Sequence, residues 1–281
     1  MPFARRLAAA AVLVLALTQP ALAERVTALM DLMRLDDLLD IMREEGLEHG
    51  AAVGDGVLGQ GAGSGWEATV ARVYDPARMR DRMEDGLRAR LKDAPDAARE
   101  AALDEVARFF ASDLGRRVVQ LELSARRAML DEAIEEAARD AWAELEAEDG
   151  PRAAAVRRFV ATGDLVELNV VGGLNATYAF YAGLADSGAG TGGMDEAEML
   201  ADVWAQEGAI RTEIDEWLHG YLALAFGPLG DAELEAYTDF FASPSGSLLN
   251  SALFAGFNGM FEGLSRDLGM AAGGMMLGED L

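Results

Sequence analysis

The sequence predicts an all-α protein made of tandem duplicated helical repeats that pack as one bundle-like unit after a cleaved signal peptide. Apolar residues recur at helical spacing, as at Met79, Met83 and Leu87, and runs with the alternation of a strand are nearly absent. A 13-residue phrase at 103–115 recurs 131 residues later at 234–246 with six identities, including an unbroken Phe-Phe-Ala-Ser. The periodicity predicts the fold class, and the recurrence predicts the duplication.

The first 23 residues have the pattern of a secretory signal peptide. Arg5 and Arg6 precede an apolar run at 7–17, and Ala21-Leu22-Ala23 supplies a small-x-small cleavage site. We expect cleavage after Ala23 and a mature chain that is periplasmic or secreted, without a transmembrane anchor. The 281-residue chain contains no cysteine, so packing rather than disulfide bonds must hold the exported fold.

The chain is strongly acidic, with 49 Asp and Glu against 24 Lys and Arg and a formal net charge of −25. Nucleic-acid binding needs clustered basic side chains that neutralise phosphates, so this charge argues against a nucleic-acid partner. From residue 159 to the end, Arg211 and Arg266 are the only basic residues. The acidity of the second half serves solubility or receives a basic partner, and the sequence leaves both open.

Helix starts are marked along the chain by residues that favour N-caps. Apolar stripes at 26–33 and 38–42 predict two opening helices. Asp75 and Ser243 each stand before a proline, whose missing N–H does no harm in a first helical turn. Asp231 is predicted to cap a further helix, because carboxylates are favourable at the positive end of a helix.

The repeat boundary is placed at 150–151, after a long charged helix expected over about 114–148. Glycine-rich stretches at 54–65 and 187–193 are predicted loops, where the spacing of the two repeats slips. The predicted organisation is a signal peptide at 1–23, a first repeat at 24–150, a second repeat at 151–268 and a flexible tail at 269–281.

The repeated phrase is interpreted as a corner between two helices. In each copy one helix ends on two aromatic residues, and the serine that follows caps the next helix. We expect the aromatic residues to anchor the core. The residues of this structural corner motif are Phe109, Phe110, Ser112 and Gly115 in the first copy and Phe240, Phe241, Ser243, Pro244 and Gly246 in the second.

These corners resemble the DUF2059 family of bacterial envelope proteins, in which the corner usually reads like Phe-Tyr-x-Ser-Pro-x-Gly. The second copy fits that pattern, whereas the first has Asp113 where proline is expected. The opening segment at 35–47 also looks like the leading helix of the family. The resemblance implies two tandem copies of an exported helical domain, and it carries over no catalytic residue.

Two histidines and one glycine pattern are candidates for chemistry. His49 follows Glu44 and Glu45, and His219 follows Asp215 and Glu216, spacings that suit acid–base or zinc chemistry or a surface ion pair. The stretch 54–59 has the Gly-x-Gly-x-x-Gly spacing of dinucleotide-binding loops, but a helix rather than a strand is expected before it, which favours a flexible loop.

Two further surfaces distinguish the repeats. The uncharged stretch 240–261 predicts a buried central helix, or a surface for an apolar ligand or partner. The candidates for that surface are Phe254, Phe257 and Phe261.

The first repeat has two pairs of arginines about three helical turns apart, Arg116 with Arg117 and Arg126 with Arg127. These arginines form a solvated face, or they bind an acidic partner or the acidic second half.

The function expected from these observations is that of a non-enzymatic periplasmic interaction or assembly module whose envelope partner is unknown. One alternative is a carrier of an apolar small molecule or lipid, bound between the repeats. The other alternative is an enzyme without a known motif, for which His219 with Asp215 and Glu216 would be the site. The sequence predicts no catalytic residue, no metal ligand and no cofactor with any specificity.

Overall fold

The computed structural model describes residues 21–59, 63–190 and 194–278, and the secondary structure in these ranges is entirely helical. The all-α prediction is therefore confirmed. In chain order the helices are α1 (Leu22–Leu32), α2 (Leu35–Leu58), α3 (Gly63–Val73), α4 (Pro76–Lys92), α5 (Asp96–Phe110), α6 (Asp113–Ala128), α7 (Glu132–Glu148), α8 (Pro151–Thr162), α9 (Leu165–Asp186), α10 (Glu196–Ala205), α11 (Glu207–Phe226), α12 (Asp231–Ala242) and α13 (Pro244–Met276).

Parts of three predictions lie outside the described residues: positions 1–20 of the signal peptide, the loop positions 60–62 and 191–193, and positions 279–281 of the tail. Within the described ranges, none of the helices combines the length and the apolar character that crossing a membrane requires.

The capping residues act largely as the sequence predicts. The Asp75 carboxylate accepts a hydrogen bond from the Arg78 N–H at 3.0 Å, and the proline after it opens α4. Helix α12 begins one residue earlier than expected, with Gly230 as its N-cap and Asp231 inside its first turn. Glu233 provides the cap by accepting the Gly230 N–H at 2.8 Å, and this is why Asp231 is not needed there.

The two corners have the same local geometry. Ser112 accepts the Gly115 N–H at 3.1 Å, and Ser243 accepts the Gly246 N–H at 3.1 Å. A Cβ atom on Gly115 would lie 2.1 Å from the Phe109 carbonyl oxygen, so only glycine permits this close approach of two helices. Gly246 is confined in the same way. Each serine and glycine therefore fixes a sharp helix-to-helix turn.

The corners meet in the centre of the molecule. The rings of Phe109 and Phe240 stack with centroids 3.9 Å apart, and Phe110 meets Phe240 edge to face at 5.8 Å. Phe110, Phe240 and Phe241 are buried, and Phe109 is half-buried against the same cluster. This cluster continues from α1 to α13, so the described residues share one principal core.

Helix α13 is the central element of the fold. It packs along α9 and α4 and also contacts α2, α3, α5 and α12, whereas α6 and α7 both pack on α11. The apolar stretch 240–261 ends α12 and then forms the first part of the central helix α13, as one reading of the sequence expected in part. Its Ala252 and Met260 side chains are fully enclosed.

The helix expected over 114–148 is broken. Helix α6 ends at Ala128, and Asp131 starts α7 by accepting the Ala133 N–H at 3.0 Å. An aspartate that bonds to a nearby N–H competes with the continuing helix, which explains the break. The break lets α7 turn to pack on α11.

Two predictions are partly wrong for the same reason. The first residues of the predicted loop at 54–65 and of the predicted flexible tail at 269–281 are helical. Helix α2 continues to Leu58 and α13 to Met276, because their glycines lie against neighbouring helices. A Cβ on Gly54 would lie 2.3 Å from Trp66 Nε1, and one on Gly269 would lie 2.1 Å from the Phe180 carbonyl oxygen. These glycines permit close helix packing rather than flexibility.

Candidate functional site

A cavity of about 580 Å³ lies between the two parts of the chain that the sequence assigns to separate repeats. Its walls come from α2, α6, α8, α9, α11, α12 and α13. Volumes of this order are typical of small-molecule sites, which are mostly apolar with a few polar groups. The cavity has this composition.

The first part of the chain contributes an aliphatic wall. Helices α2 and α6 cross only briefly, and their apolar faces leave a gap that other helices do not fill. The aliphatic residues of this wall are Met33, Leu35, Leu38, Met42, Val119 and Leu123.

The second part of the chain contributes an aromatic wall. Phe254, Phe257 and Phe261 follow one another at helical spacings of three and four, which places all three on one face of α13. All three line the cavity and are half-buried. The structure therefore brings together the three residues that the sequence selected as an apolar surface. Phe159, Trp217, Tyr221, Tyr237 and Phe241 complete this wall.

One end of the cavity is polar and is built around Glu122 of α6. The Tyr237 hydroxyl donates to Glu122 Oε1 at 3.1 Å, and the Tyr221 hydroxyl donates to the Glu122 carbonyl oxygen at 3.3 Å. Burial raises the pKa of Glu122 from 4.5 to about 7, against the opposing effect of the Tyr237 hydrogen bond. A carboxyl group that titrates near neutrality thus faces an apolar chamber.

Burial and the neighbouring Glu122 carboxylate also act on the two tyrosines. Burial raises the pKa of Tyr237 well above 10, and its hydrogen bond to Glu122 adds to this effect. Burial also raises the pKa of Tyr221, and the negative charge of Glu122 adds to this effect. Both hydroxyls therefore remain protonated and act as hydrogen-bond donors at any physiological pH.

Arg126 stands beside this polar end. Its Nη2 pairs with Glu45 of α2 at 2.5 Å, and its guanidinium lies 4.4 Å from the centroid of the Trp217 ring. The Nε atom is buried without a hydrogen-bond partner among the described residues. Arg126 thereby ties α2 to α6 and α11 around the mouth of the cavity.

The other three arginines of the two predicted pairs on α6 also bind within the chain. Arg117 pairs with Glu233 at 2.5 Å and donates to the Pro228 carbonyl oxygen, so it does bind the acidic second half. Arg127 pairs with Glu44, and Arg116 pairs with Asp113 of its own helix at 2.6 Å. Both of these pairs are largely exposed, as a solvated face would be.

The histidine candidates lie apart from the cavity. The His219 ring is 7 % exposed and stacks on Trp142 at 4.7 Å, with Nδ1 2.9 Å from the Asp215 carbonyl oxygen. Glu216 pairs with Arg139 at 3.4 Å instead of joining His219. His49 is exposed on α2. Among the described residues no group of three His, Cys, Asp or Glu side chains could hold a metal ion.

The glycine pattern at 54–59 does not form a phosphate-binding loop. Its first five residues belong to α2, and Gly54 packs on Trp66. A dinucleotide site needs these glycines at the start of a helix, where free N–H groups meet the pyrophosphate. In this chain these glycines lie at the C-terminal end of helix α2.

Two functional features escaped the sequence reasoning. Glu122 lies four residues after Val118 and four before Arg126, so a carboxylate interrupts the apolar stripe of α6. That interruption is a detectable signal. Gly46, Gly50 and Gly54 recur every four residues opposite Tyr74, Val70 and Trp66, and this spacing marks a close helix crossing.

Comparison with known proteins gives a match to a family. No curated protein and no solved structure matches the chain. Residues 77–144 match the family described as "Uncharacterized protein conserved in bacteria (DUF2059)". The matched range runs from the first turn of α4 into α7 and includes the first corner, with Phe109 and Gly115. The segment from α4 to α7 is thus similar to the DUF2059 family of bacterial proteins.

Proposed function

We propose that the protein binds an apolar small molecule in the cavity between its two halves. The observation that carries this proposal is the aromatic wall, where Phe254, Phe257 and Phe261 expose one face of a central helix to a chamber of about 580 Å³. Exposed apolar faces of this kind mark ligand grooves. Burying them under a ligand gains roughly 25 cal/mol for each Å² of apolar surface.

A carrier role fits this site better than catalysis does. The cavity wall contains two charged residues, Glu122 and Arg126, and Arg126 is already paired with Glu45. Nucleophilic or metal chemistry requires a nucleophile with an activating base or an assembled ligand set. The cavity has large apolar walls and one polar end. These features suit the reversible binding of an amphipathic molecule.

The proposal is tested by displacement of a neutral naphthalene-type fluorescent probe from the mature protein by decanol. Phe257→Ser should weaken probe binding at least about tenfold, because it places a hydroxyl on the aromatic wall and removes a large contact. Trp204→Ser is the matched control, since Trp204 is 65 % exposed on α10 and does not line the cavity. It should leave binding unchanged.

Two results would contradict the proposal. One is equal weakening by both variants, which would assign the probe to the surface. The other is the failure of decanol to displace the probe. Mass spectrometry of protein purified without detergent gives an independent check, because a bound apolar molecule should appear with the wild type and be depleted in Phe257→Ser.

A second candidate function, interaction with a protein of the envelope, is favoured by a patch on α10. Trp204 and Leu200 are 65 % and 40 % exposed and lie one helical turn apart. Asp195, Glu196 and Glu198 surround the start of this helix, so a partner would present a basic surface with an apolar centre. Cross-linking in intact cells should give an adduct that Trp204→Ser removes and Phe257→Ser retains.

We infer that the two halves, 24–150 and 151–268, arose as two DUF2059-like copies. At the offset of 131 residues α4 corresponds to α11, and α6 with α7 corresponds to α13. The helix contacts are therefore reciprocal, because α4 packs on α13 and α11 packs on α6 and α7. A left-handed residue precedes both α2 and α9, with φ 53° at Arg34 and 51° at Asp164. Reciprocal contacts between equivalent elements are typical of a two-fold interface, which supports the duplication.

We propose that the chain works in the periplasm after export. The support is the basic and apolar leader at 1–23, with its small-residue cleavage site, and the bacterial family that 77–144 resembles. N-terminal sequencing of protein from the envelope fraction should read from Glu24. A chain recovered from the cytoplasm with an intact Met1 would contradict the proposal.

A further inference from the structure

We propose that the ligand is an apolar chain with a protonated amine at one end, and that the carboxylate of Glu122 binds this cationic group. This inference rests on the proposed apolar-ligand function. It assigns the polar end of the cavity to the head of the molecule and the aromatic wall to its chain.

Glu122 has an unused acceptor. The Tyr237 hydroxyl bonds to its Oε1, and its Oε2 has no hydrogen-bond partner in the described part of the chain. Oε2 also keeps accessible surface, since it is not among the enclosed unpaired atoms, and the residue lines the cavity. A buried carboxylate with one neutral donor is poorly compensated. A ligand ammonium would supply the missing donor and the missing positive charge.

The other charged and titratable groups around Glu122 are either neutral donors or already ion-paired, although the Arg126 Nε has no hydrogen-bond partner in the described part of the chain. Tyr237 of α12 and Tyr221 of α11 are neutral donors. Arg126, on the same helix, is paired with Glu45 of α2 and stacked on an indole ring. The Arg126 charge is therefore balanced within the protein, whereas that of Glu122 is balanced only by a cation from outside.

The surroundings also favour a cation over an anion. Aromatic ring faces attract ammonium groups within about 6 Å, and Tyr221, Tyr237 and Phe254 all line the cavity. The formal net charge of −25 draws cations toward the protein and repels anions. The carboxylate of a fatty acid of the same chain length would be repelled by Glu122 and by the negative net charge of the protein.

The geometry makes binding dependent on pH. Burial raises the pKa of Glu122 to about 7, so the carboxyl is mostly protonated at pH 5.5 and mostly ionised at pH 8. An ammonium stabilises the ionised form, so its affinity must fall as the pH drops below about 7. An alkylamine itself stays protonated over this range, since its pKa resembles that of lysine at about 10.4.

The experiment compares decylamine, decanol and decanoate by calorimetry, in about 0.15 M salt that screens exposed charges. At pH 8 we expect decylamine to bind at least about tenfold more tightly than decanol, and decanoate to bind most weakly. At pH 5.5 the preference for decylamine over decanol should shrink to less than about threefold, because the carboxyl is then protonated.

Variants separate the carboxyl from the surface charge. Glu122→Gln keeps the shape of the side chain and should abolish the amine preference while decanol still binds. Glu235→Gln removes an exposed carboxyl on α12, outside the cavity, and should keep the full preference. Tyr237→Phe removes the hydroxyl that stabilises the carboxylate, so the midpoint of the pH dependence should move up.

The possible failures are distinguishable. If neither decanol nor decylamine binds, the proposed function itself is wrong. If decanol binds as tightly as decylamine at pH 8, or if decanoate binds most tightly, the ligand class is wrong and the carrier proposal stands. An amine preference that survives Glu122→Gln would assign the cation to another acidic group and overturn the role of Glu122.

Discussion

Phe109 and Phe240 join the two helix corners through their stacked rings. Phe240 is 8 % exposed, so Phe240→Ala should lower the free energy of unfolding by about 3 to 5 kcal/mol, through lost burial and a residual cavity. Urea unfolding measures this loss. Leu224→Ala, at a position 38 % exposed on α11, should cost no more than about 0.5 kcal/mol.

The pair also permits a double-mutant cycle. Replacing both phenylalanines should cost less than the sum of the two single replacements, with a coupling of about 0.5 to 1.5 kcal/mol from the ring contact. Strict additivity would show that the two rings contribute independently and that the corners are held together elsewhere.

Glu122 should make stability depend on pH. Its pKa is about 7 in the folded chain and near 4.5 in the unfolded chain. The folded state therefore holds the proton more tightly, and stability falls as the pH rises from about 4.5 to about 7, with no further change above that range. The total loss is roughly 3 kcal/mol for a shift of this size.

Glu122→Gln isolates this effect, because glutamine does not ionise. The stability of this variant relative to the wild type should increase by roughly 3 kcal/mol between pH 4.5 and pH 8 in urea titrations. A constant difference over this range would mean that the Glu122 carboxyl is solvated in the folded state.

Side chains that act on their own neighbourhood were predictable. Asp75 and Ser243 cap helices that begin beside them, and Gly115 lies in a turn that its neighbours in the sequence identify. The raised pKa of Glu122 was not predictable from the sequence, because the tyrosines that enclose this residue come from helices about a hundred residues away. Burial is a tertiary property, and only the interrupted apolar stripe hinted at it.

The crossing of α2 with α3 depends on glycine at the element scale. A Cβ on Gly50 would lie 2.3 Å from Val70 Cγ1, so Gly50→Ala should push the helices apart and cost about 1 to 3 kcal/mol. A Cβ on Gly56 of the same helix would meet nothing within 4 Å. Gly56→Ala should therefore stabilise the protein by about 0.5 to 1 kcal/mol in the same urea assay.

This pair of substitutions discriminates between two roles of glycine in one helix. If Gly50→Ala were as well tolerated as Gly56→Ala, the close packing of α2 on α3 would be wrong and the loop predicted from the sequence would regain support.

Helix boundaries were predictable where a cap or a proline marks them and not where packing decides. The ends of α2 and α13 were misjudged because glycine favours loops by conformational entropy, whereas a neighbouring helix can reverse that preference. The stretch around Gly269 illustrates this, since it read as a tail and is buried against α9. Nothing within residues 269–276 alone reveals that contact.

At the scale of the whole molecule, the reciprocal packing predicts that the halves cannot fold alone. Segment 24–150 contains α4 without α13, and 151–281 contains α11 without α6 and α7. Each segment expressed separately should lack a cooperative unfolding transition by circular dichroism, and mixing them should restore one. The full mature chain should unfold in a single transition.

A half that unfolds cooperatively by itself, with its full helical signal, would contradict this interlocked architecture. It would indicate that each half forms its own core and that the contacts of α13 with α4 are secondary.

The cavity walls come from both halves, and this has a practical consequence for identifying the natural ligand. Any molecule that fits the chamber binds only the assembled chain, so it must raise the melting temperature in proportion to its affinity and concentration. At about a hundred times its dissociation constant the gain is roughly 2.7 kcal/mol. A melting-temperature screen of envelope extracts and compound libraries can therefore find the ligand before any biological role is known.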